Sequence, residues 1–228
     1  MKNSFIVFFL IFLTSCSSTS NSDEFIAKAE GRYLYNSDET VTVYFEEKEL
    51  FINWRGATKI KPMPTGDEEF YVKEMNEKIL FKTNPADNLV YMCLKPKEDA
   101  EITYNFRKLQ DDEQVPSFYL KEGEFEKAKL GYLAIQAKDS LDPNLNESKF
   151  NRMGYNFLRE KEYDKAIGIF KINMALFPRS SNVYDSMGDA MLRKGDTING
   201  VEYYRKAYSL NSDNKTAERI INKFGKKK

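Results

Sequence analysis

The sequence predicts an α+β protein of two domains, in which a small antiparallel β-barrel precedes an α-helical repeat array. Three observations support this. Apolar residues alternate at period two from Gly31 to about Phe106, and the period changes to about 3.6 after Gln110. The helical part then repeats itself at an offset of 34 residues. With 228 residues, of which 41% are hydrophobic, the chain is long enough for both domains.

The first sixteen residues predict an export signal. Residues 5–13 are apolar and uncharged, and this run is shorter than the roughly 20 apolar residues that cross a bilayer. Leu13-Thr14-Ser15-Cys16 resembles the lipoprotein box of bacteria. The resemblance implies that residues 1–15 are a signal peptide and that Cys16 becomes the acylated first residue. Two or three acyl chains would hold the protein on a membrane. The alternative is an ordinary signal peptide with an unrelated cysteine.

The same resemblance implies a location and a tether. A lipid anchor would place the chain in a bacterial cell envelope. Ser17 stands where an aspartate retains some lipoproteins at the inner membrane, so the outer membrane is preferred. Residues 16–28 begin as a Ser/Thr/Asn-rich stretch, which is typical of a flexible tether between the lipid and the first domain.

The alternating pattern of residues 29–110 predicts the β domain. Val41, Val43 and Phe45 alternate with less apolar neighbours, as do Leu50, Ile52 and Trp54. Further strand-like runs lie at 69–73, 78–82, 89–94 and 102–106. About eight strands with turn residues and no helices between them indicate antiparallel pairing. We expect a barrel because closure removes exposed strand edges.

The residue pattern of this domain resembles that of a known module. Gly31-Arg32-Tyr33, with Trp54 and Phe70 downstream, is similar to the small lipocalin-like β domain that follows penicillin-binding-type serine hydrolases of bacteria. A barrel of this size is either filled by side chains or holds one small ligand. Tyr33, Trp54 and Phe70 are therefore candidate ligand-binding residues, under the alternative that the protein carries an apolar molecule or a lipid.

Residues 114–228 predict the helical domain. Phe125, Ala128, Tyr132 and Ile135 share one face of a helix. Further on, Gly154 and Gly188 belong to two segments that align at the 34-residue offset. The other aligned pairs are Phe150 with Tyr184, Met153 with Met187, Phe157 with Met191, Ala166 with Gly200, Phe170 with Tyr204 and Pro178 with Ser212. This pattern resembles the tetratricopeptide repeat, a pair of antiparallel helices per unit.

The resemblance implies two units, residues 147–180 and 181–214. Two units are few for independent stability, because each must bury its face on a neighbour. We therefore expect flanking cap helices at Phe125–Lys138 and Thr216–Phe224. The stretches 150–155, 169–173 and 177–186 also resemble the helical tail of the same serine hydrolases. The chain has no room for their catalytic domain, so the resemblance implies an accessory part without the enzyme.

The sequence predicts no enzymatic activity, no cofactor and no metal site. The chain contains no histidine, the side chain most often used as a general base near neutral pH. The letters Ser212-Asp213-Asn214-Lys215 match the Ser-x-x-Lys of the hydrolases, but they fall at a predicted helix start, where Ser and Asp are common. A glycine-rich phosphate loop and a Cys/His cluster are both missing from the sequence.

With catalysis not predicted, binding is the remaining class of function. With 35 basic and 35 acidic residues, the chain lacks the excess of positive charge that nucleic-acid binding requires. Helical repeats commonly bind peptides or helices, so we predict a protein-interaction module for an unknown protein or peptide partner. Candidate partner-binding residues are Asn156, Asn173 and Asn182, with local hydrogen bonding or packing as the alternative. Acting in trans with a serine hydrolase is a further alternative.

Overall fold

A computed structural model describes residues 20–97 and 100–224. The predicted signal peptide and the lipidation site Cys16 lie outside the described residues. The β domain contains α1 (Asp23–Ala29), β1 (Gly31–Asn36), β2 (Glu39–Glu46), β3 (Glu49–Trp54), β4 (Ala57–Ile60), β5 (Met63–Gly66), β6 (Glu69–Val72), β7 (Glu77–Thr83), β8 (Val90–Leu94) and β9 (Phe106–Arg107). The helical array contains α2 (Pro116–Lys121), α3 (Phe125–Lys138), α4 (Glu147–Arg159), α5 (Tyr163–Leu176), α6 (Ser181–Lys194), α7 (Thr197–Leu210) and α8 (Lys215–Phe224).

The strands form two antiparallel sheets that are not closed into a barrel. One sheet has the order β1-β2-β3-β4 and the other β5-β6-β7-β8-β9. They meet where Tyr33 pairs with Lys108, next to a hydrogen bond from the Leu109 N–H to the Arg32 carbonyl (2.7 Å). On the far side, β4 and β5 do not pair with each other. Pro62 and Pro64 lie at that seam and lack the N–H that a strand ladder needs. The prediction of a barrel is therefore corrected to two sheets with an open seam.

Helix α1 occupies the space between the sheets. Ser22 accepts a hydrogen bond from the Phe25 N–H (3.0 Å) and begins the helix. The Phe25 ring is 2% exposed and lies 5.8 Å, centre to centre, from Phe70 and 5.6 Å from Phe81. The Tyr33 hydroxyl donates to the Ala29 carbonyl (2.7 Å), which fixes the end of the helix. The predicted tether of residues 16–28 is thus too long, because α1 is part of the folded core.

The array contains one more helix pair than the sequence analysis proposed. In each of the three pairs α2–α3, α4–α5 and α6–α7, the turn contains one residue with positive φ, followed by a residue with φ near −84°. The left-handed residues are Gly123 (75°), Lys161 (63°) and Gly195 (96°), and the residues after them are Glu124 (−85°), Glu162 (−83°) and Asp196 (−84°). Because the three turns repeat the same backbone geometry, α2–α3 is a repeat unit and not a single cap helix.

Small residues let the two helices of a unit approach each other. A Cβ on Gly154 would overlap the Phe170 ring, and one on Gly188 would lie 2.7 Å from the Tyr204 ring. Close contact between a glycine of the first helix and an aromatic ring of the second is therefore present in both units. Helix α8 closes the array, since its Ala217 and Ile220 pack with Tyr204 in the last hydrophobic cluster. The bounds of α8 and α3 lie within one residue of the two predicted helices, although α3 is the second helix of a repeat unit and not a cap.

The turn between β1 and β2 docks on the array. The carboxylate of Asp38, which is 6% exposed, accepts hydrogen bonds from the Ser117 N–H (2.6 Å) and the Tyr132 hydroxyl (2.7 Å). The Asn144 side chain donates to the Ser37 hydroxyl oxygen (2.8 Å). These contacts join the hairpin to α2, α3 and the loop before α4. We call Ser37, Asp38, Ser117, Tyr132 and Asn144 the interdomain latch.

The linker between the domains is fixed by Arg32. Its guanidinium donates to the carbonyls of Gln110 (3.2 Å), Asp111 (3.1 Å) and Glu113 (2.8 Å). Glu113 in turn accepts hydrogen bonds from both terminal nitrogens of Arg107 (2.8 Å each). The linker therefore follows the β domain closely until α2 begins, and the two domains are held in one arrangement.

Candidate partner-binding surface

The first helices of the repeat units present a polar stripe. On α4, Arg152, Asn156 and Arg159 recur at helical spacing and are exposed, while Gly154 faces α5. On α6, Asp185, Asp189 and Arg193 recur in the same manner, and Gly188 faces α7. The polar side of α4 is therefore exposed, whereas on α6 Arg193 is exposed and Asp185 and Asp189 are half-buried.

Hydrogen bonds beside this stripe connect α4, α6 and the start of α8. The Ser186 hydroxyl donates to Asn151 Oδ1 (2.6 Å), which links α6 to α4. The Asn214 amide donates to Asp185 Oδ1 (2.9 Å), which links the start of α8 to α6. We call the side chains that make or adjoin these contacts the A-helix cluster, since the first helix of each repeat unit is its A helix. Its members are Asn151, Tyr155, Asp185, Ser186, Asp189, Arg193, Asn214 and Arg219.

Partial burial makes the charges of this cluster sensitive to what binds there. Burial raises the pKa of Asp185, with the Asn214 hydrogen bond opposing the shift and Asp189 adding to it. Burial likewise raises the pKa of Tyr155, which lies near Ser186, Asp189 and Asp185. Arg193 Nε donates to Asp189 Oδ1 (3.0 Å). In such partly desolvated surroundings a partner's donor or cation near Asp185 would be held more strongly than in open water.

The three predicted asparagines have different positions. Asn156 is exposed and accepts a hydrogen bond from Arg159 (2.5 Å). Asn182 is exposed and donates to Glu147 Oε1 (2.9 Å). Asn173 is fully buried and donates to the Glu147 carbonyl (3.1 Å). Asn173 is therefore corrected from a surface position to a packing residue between helices, whereas a partner-binding role for Asn156 and Asn182 stays a prediction.

The sequence analysis missed the acidic and aromatic members of the cluster. Tyr155, Asp185 and Asp189 carry no motif of their own. Their signal is the i, i+4 spacing of Asp185, Asp189 and Arg193 on a helix whose apolar residues face elsewhere. A search for polar side chains at i, i+4 spacing on the first helices would have found Asp185 and Asp189.

The three residues predicted to line a ligand cavity do not share one. Tyr33 is fully buried, Phe70 is 4% exposed and Trp54 is 9% exposed, and all three belong to the core that α1 completes. Trp54 contributes to a cleft of about 550 Å³ between the β3–β4 turn and α2. Phe70 contributes to a separate cleft beside residues 20–22. Within residues 20–97 and 100–224, Trp54 and Phe70 thus line separate clefts, and Tyr33 is packed in the core.

The Ser-x-x-Lys letters lie on the surface where α8 begins. Ser212 is exposed, and the Lys215 ammonium pairs with Glu218 (3.3 Å). Residues 20–97 and 100–224 contain no group of three or more acidic, cysteine or histidine side chains arranged to hold a metal. Within the same ranges, no helix has the length and apolar character needed to cross a bilayer.

No protein-family model and no curated protein matches the chain. Among solved structures, it is similar to the second TPR domain of human RPAP3 in complex with an HSP70 peptide. That match has 21% identity over 49% of this chain and 90% of that chain, with a TM-score of 0.34. The Sgt2 TPR domain from Aspergillus fumigatus matches at 16% identity over 48% and 72% (TM-score 0.34). A point mutant of MamA matches at 17% identity over 48% and 80% (TM-score 0.36).

These TM-scores are all below 0.5, so the description of the array depends on its own geometry. The three matching turns and the contacts of Gly154 and Gly188 with aromatic rings are that geometry. This geometry shows a helical array that resembles tetratricopeptide repeats, and the array follows the N-terminal antiparallel β region.

Proposed function

We propose that the chain is a lipid-anchored, non-catalytic protein-interaction module of a bacterial cell envelope. Its acylated Cys16 holds it on a membrane, with the outer membrane preferred, and the A-helix cluster binds a protein or peptide partner. The observation that carries the proposal is the hydrogen-bonded polar row across α4, α6 and α8, part of which is exposed.

The exposed arginines on α4 beside the A-helix cluster favour an extended partner segment that carries acidic residues. Amide side chains such as Asn156 and Asn182 can pair with the backbone of an extended chain. Arg152 has no ion-pair partner among the described residues, and Arg159 donates only to the neutral Asn156. Arginine binds carboxylates in a bidentate manner, so these guanidinium groups would be satisfied by Asp or Glu of a partner.

A serine hydrolase without its own accessory domains is the partner class that the sequence resemblance suggests. The resemblance of residues 150–155, 169–173 and 177–186 to the helical tail of such enzymes supports this choice. In that arrangement the module would supply in trans what related hydrolases carry in cis.

Crosslinked capture from envelopes tests the partner-binding surface. The wild type is compared with Arg152→Glu/Arg159→Glu, which reverses the two exposed guanidinium groups expected to bind a partner's carboxylates. The control is Lys171→Glu/Arg179→Glu, which reverses two exposed charges outside the cluster. We expect one captured protein to be lost with the first variant and retained with the control, while circular dichroism shows both variants folded. Equal capture by all three proteins would contradict binding at this surface.

Metabolic labelling tests the anchor separately. Cells that express the wild type or Cys16→Ala are grown with radioactive palmitate and fractionated. We expect label and membrane association in the wild type and neither in the variant. An unlabelled wild-type chain in the soluble fraction would contradict the anchored part of the proposal.

A further inference from the structure

The chain enters the folded part at one end of the β domain. The backbone N–H of Asn21 and its side-chain amide both donate to the Lys48 carbonyl (3.2 and 2.7 Å). The Lys48 ammonium pairs with Asp23 (2.9 Å). The segment that comes from Cys16 is thus fixed to the turn between β2 and β3. We call this turn, with residues 20–22 and Asp67 beside them, the tether end.

The array is attached at the opposite end of the same strand. β2 begins directly after Asp38 of the interdomain latch and ends directly before the Glu47–Lys48 turn. Eight residues of strand at about 3.3 Å each span roughly 25 Å. The cleft between α2 and the β3–β4 turn also lies at the latch side. Contact between the array and the β domain is therefore concentrated about 25 Å away from the tether end.

Resting on the proposed lipidation of Cys16, we infer that the β domain is a strut with a defined orientation. Its tether end faces the bilayer, and its latch end holds the repeat array away from the lipid. Three residues separate Cys16 from Ser20, and the four Cα–Cα steps between them, even fully extended, reach only about 14 Å. The tether end must stay within that reach of the acylated cysteine, whereas the array lies farther out by the length of β2.

The charges at the tether end disfavour close contact with anionic lipid. Glu47 and Asp67 lie in exposed turns there, and neither has an ion-pair partner among the described residues. Carboxylates gain nothing from anionic headgroups, which attract basic segments instead. The bilayer surface that this end fits is therefore a neutral, zwitterionic one, contacted through the short tether. The A-helix cluster is left available to a partner on the side away from the membrane.

Energy transfer to labelled lipid tests the orientation. The mature chain, residues 16–228 with Cys93→Ala, is coupled through the Cys16 thiol to a maleimide phospholipid in phosphatidylcholine vesicles. In a Trp54→Phe background, a tryptophan donor is placed at the exposed Glu47 or at Leu141, which lies near the latch and is 89% exposed. The acceptor is a dansyl group on lipid headgroups. We expect severalfold more transfer from position 47 than from position 141.

A further measurement keeps the test decisive. The protein that retains Trp54 as its single tryptophan needs Cys93→Ala as its one substitution. Because Trp54 lies at the latch end of β3, it should transfer as weakly as position 141. Equal transfer from positions 47 and 141, or stronger transfer from 141, would overturn the inference. The coupling is chemical, so this outcome is independent of palmitate labelling in cells, whose failure would instead contradict the proposed anchor.

Discussion

The two halves of the molecule build their cores in opposite ways. The β domain has one hydrophobic cluster to which both sheets and α1 contribute, including residues as distant in sequence as Phe25 and Met92. The array has three smaller clusters, each shared between neighbouring helices. A change in the β domain should therefore be felt by the whole domain, whereas a change in the array should be felt mainly by adjacent units.

Removal of the Phe25 ring should have the largest effect. Phe25→Ala leaves a cavity among Phe45, Phe70 and Phe81, and we expect a loss of about 3–5 kcal/mol in the free energy of unfolding. Urea denaturation followed by hydrogen exchange measures the loss and locates it. Loss of protection should extend over both sheets while α5–α7 stay protected. Destabilisation confined to α1 would show that the β domain does not behave as one unit.

Removal of the Asp38 carboxylate should separate the two halves. Asp38→Ala leaves the buried Tyr132 hydroxyl and the Ser117 N–H without their acceptor, at a cost of about 3 kcal/mol. Each half should then unfold in its own transition, as read by calorimetry. With the strut broken, energy transfer from position 141 to labelled lipid should also rise. A single transition in Asp38→Ala would show that other contacts couple the domains.

Ionisation of Asp38 should also make the docking of the β domain on the array depend on pH. Burial raises the pKa of Asp38, against the opposing hydrogen bonds from Tyr132 and Ser117. The docked state therefore binds a proton more tightly than the undocked state. Docking should strengthen as the pH falls from neutral and weaken again as it rises through the raised pKa. Asp38→Asn, which cannot ionise, should lack this dependence in calorimetric titration, and an unchanged profile would exclude Asp38 as its source.

A change inside one repeat unit should cost less and remain local. Gly154→Ala forces a methyl group against the Phe170 ring, and we expect a loss of about 2 kcal/mol. Faster hydrogen exchange should be confined to α4, α5 and their immediate neighbours. Phe170→Leu removes part of the obstructing ring, so the double variant should lose less than the sum of the single losses. Additive losses would mean that the two side chains do not meet.

Sequence periodicity predicted the parts of this fold that repeat, and it failed where elements are short or unique. Glu124-Phe125-Glu126-Lys127-Ala128 nearly matches Glu162-Tyr163-Asp164-Lys165-Ala166, but at an offset of 38 residues and not 34. The helix before it, Pro116–Lys121, has six residues and is too short to show a period. The first repeat unit was missed for these two reasons.

The β domain shows a related limit of prediction from sequence. The strands were visible as alternating residues, but closure depends on whether two edges meet, and that is a long-range property. Pro62 and Pro64 were a local sign that the β4–β5 edges would not pair. Helix α1 has seven residues after a polar stretch, so its tertiary role between the sheets could not be read from its composition.

The smallest predicted effect concerns the linker that joins the two halves. Hydrogen bonds from Arg107 and from the Gln110 N–H lower the pKa of Glu113 to about 2. Because the folded pKa is below the ordinary 4.5, the stabilisation is present above pH 4.5 and is lost as the pH falls toward 2. Glu113→Gln should cost at most about 1 kcal/mol at neutral pH, since the side chain is 38% exposed. Denaturation at pH 7 and pH 3 should show the difference between wild type and variant shrinking in acid, opposite in sign to Asp38. A difference that persists in acid would mean that the Glu113 carboxylate charge does not stabilise the linker.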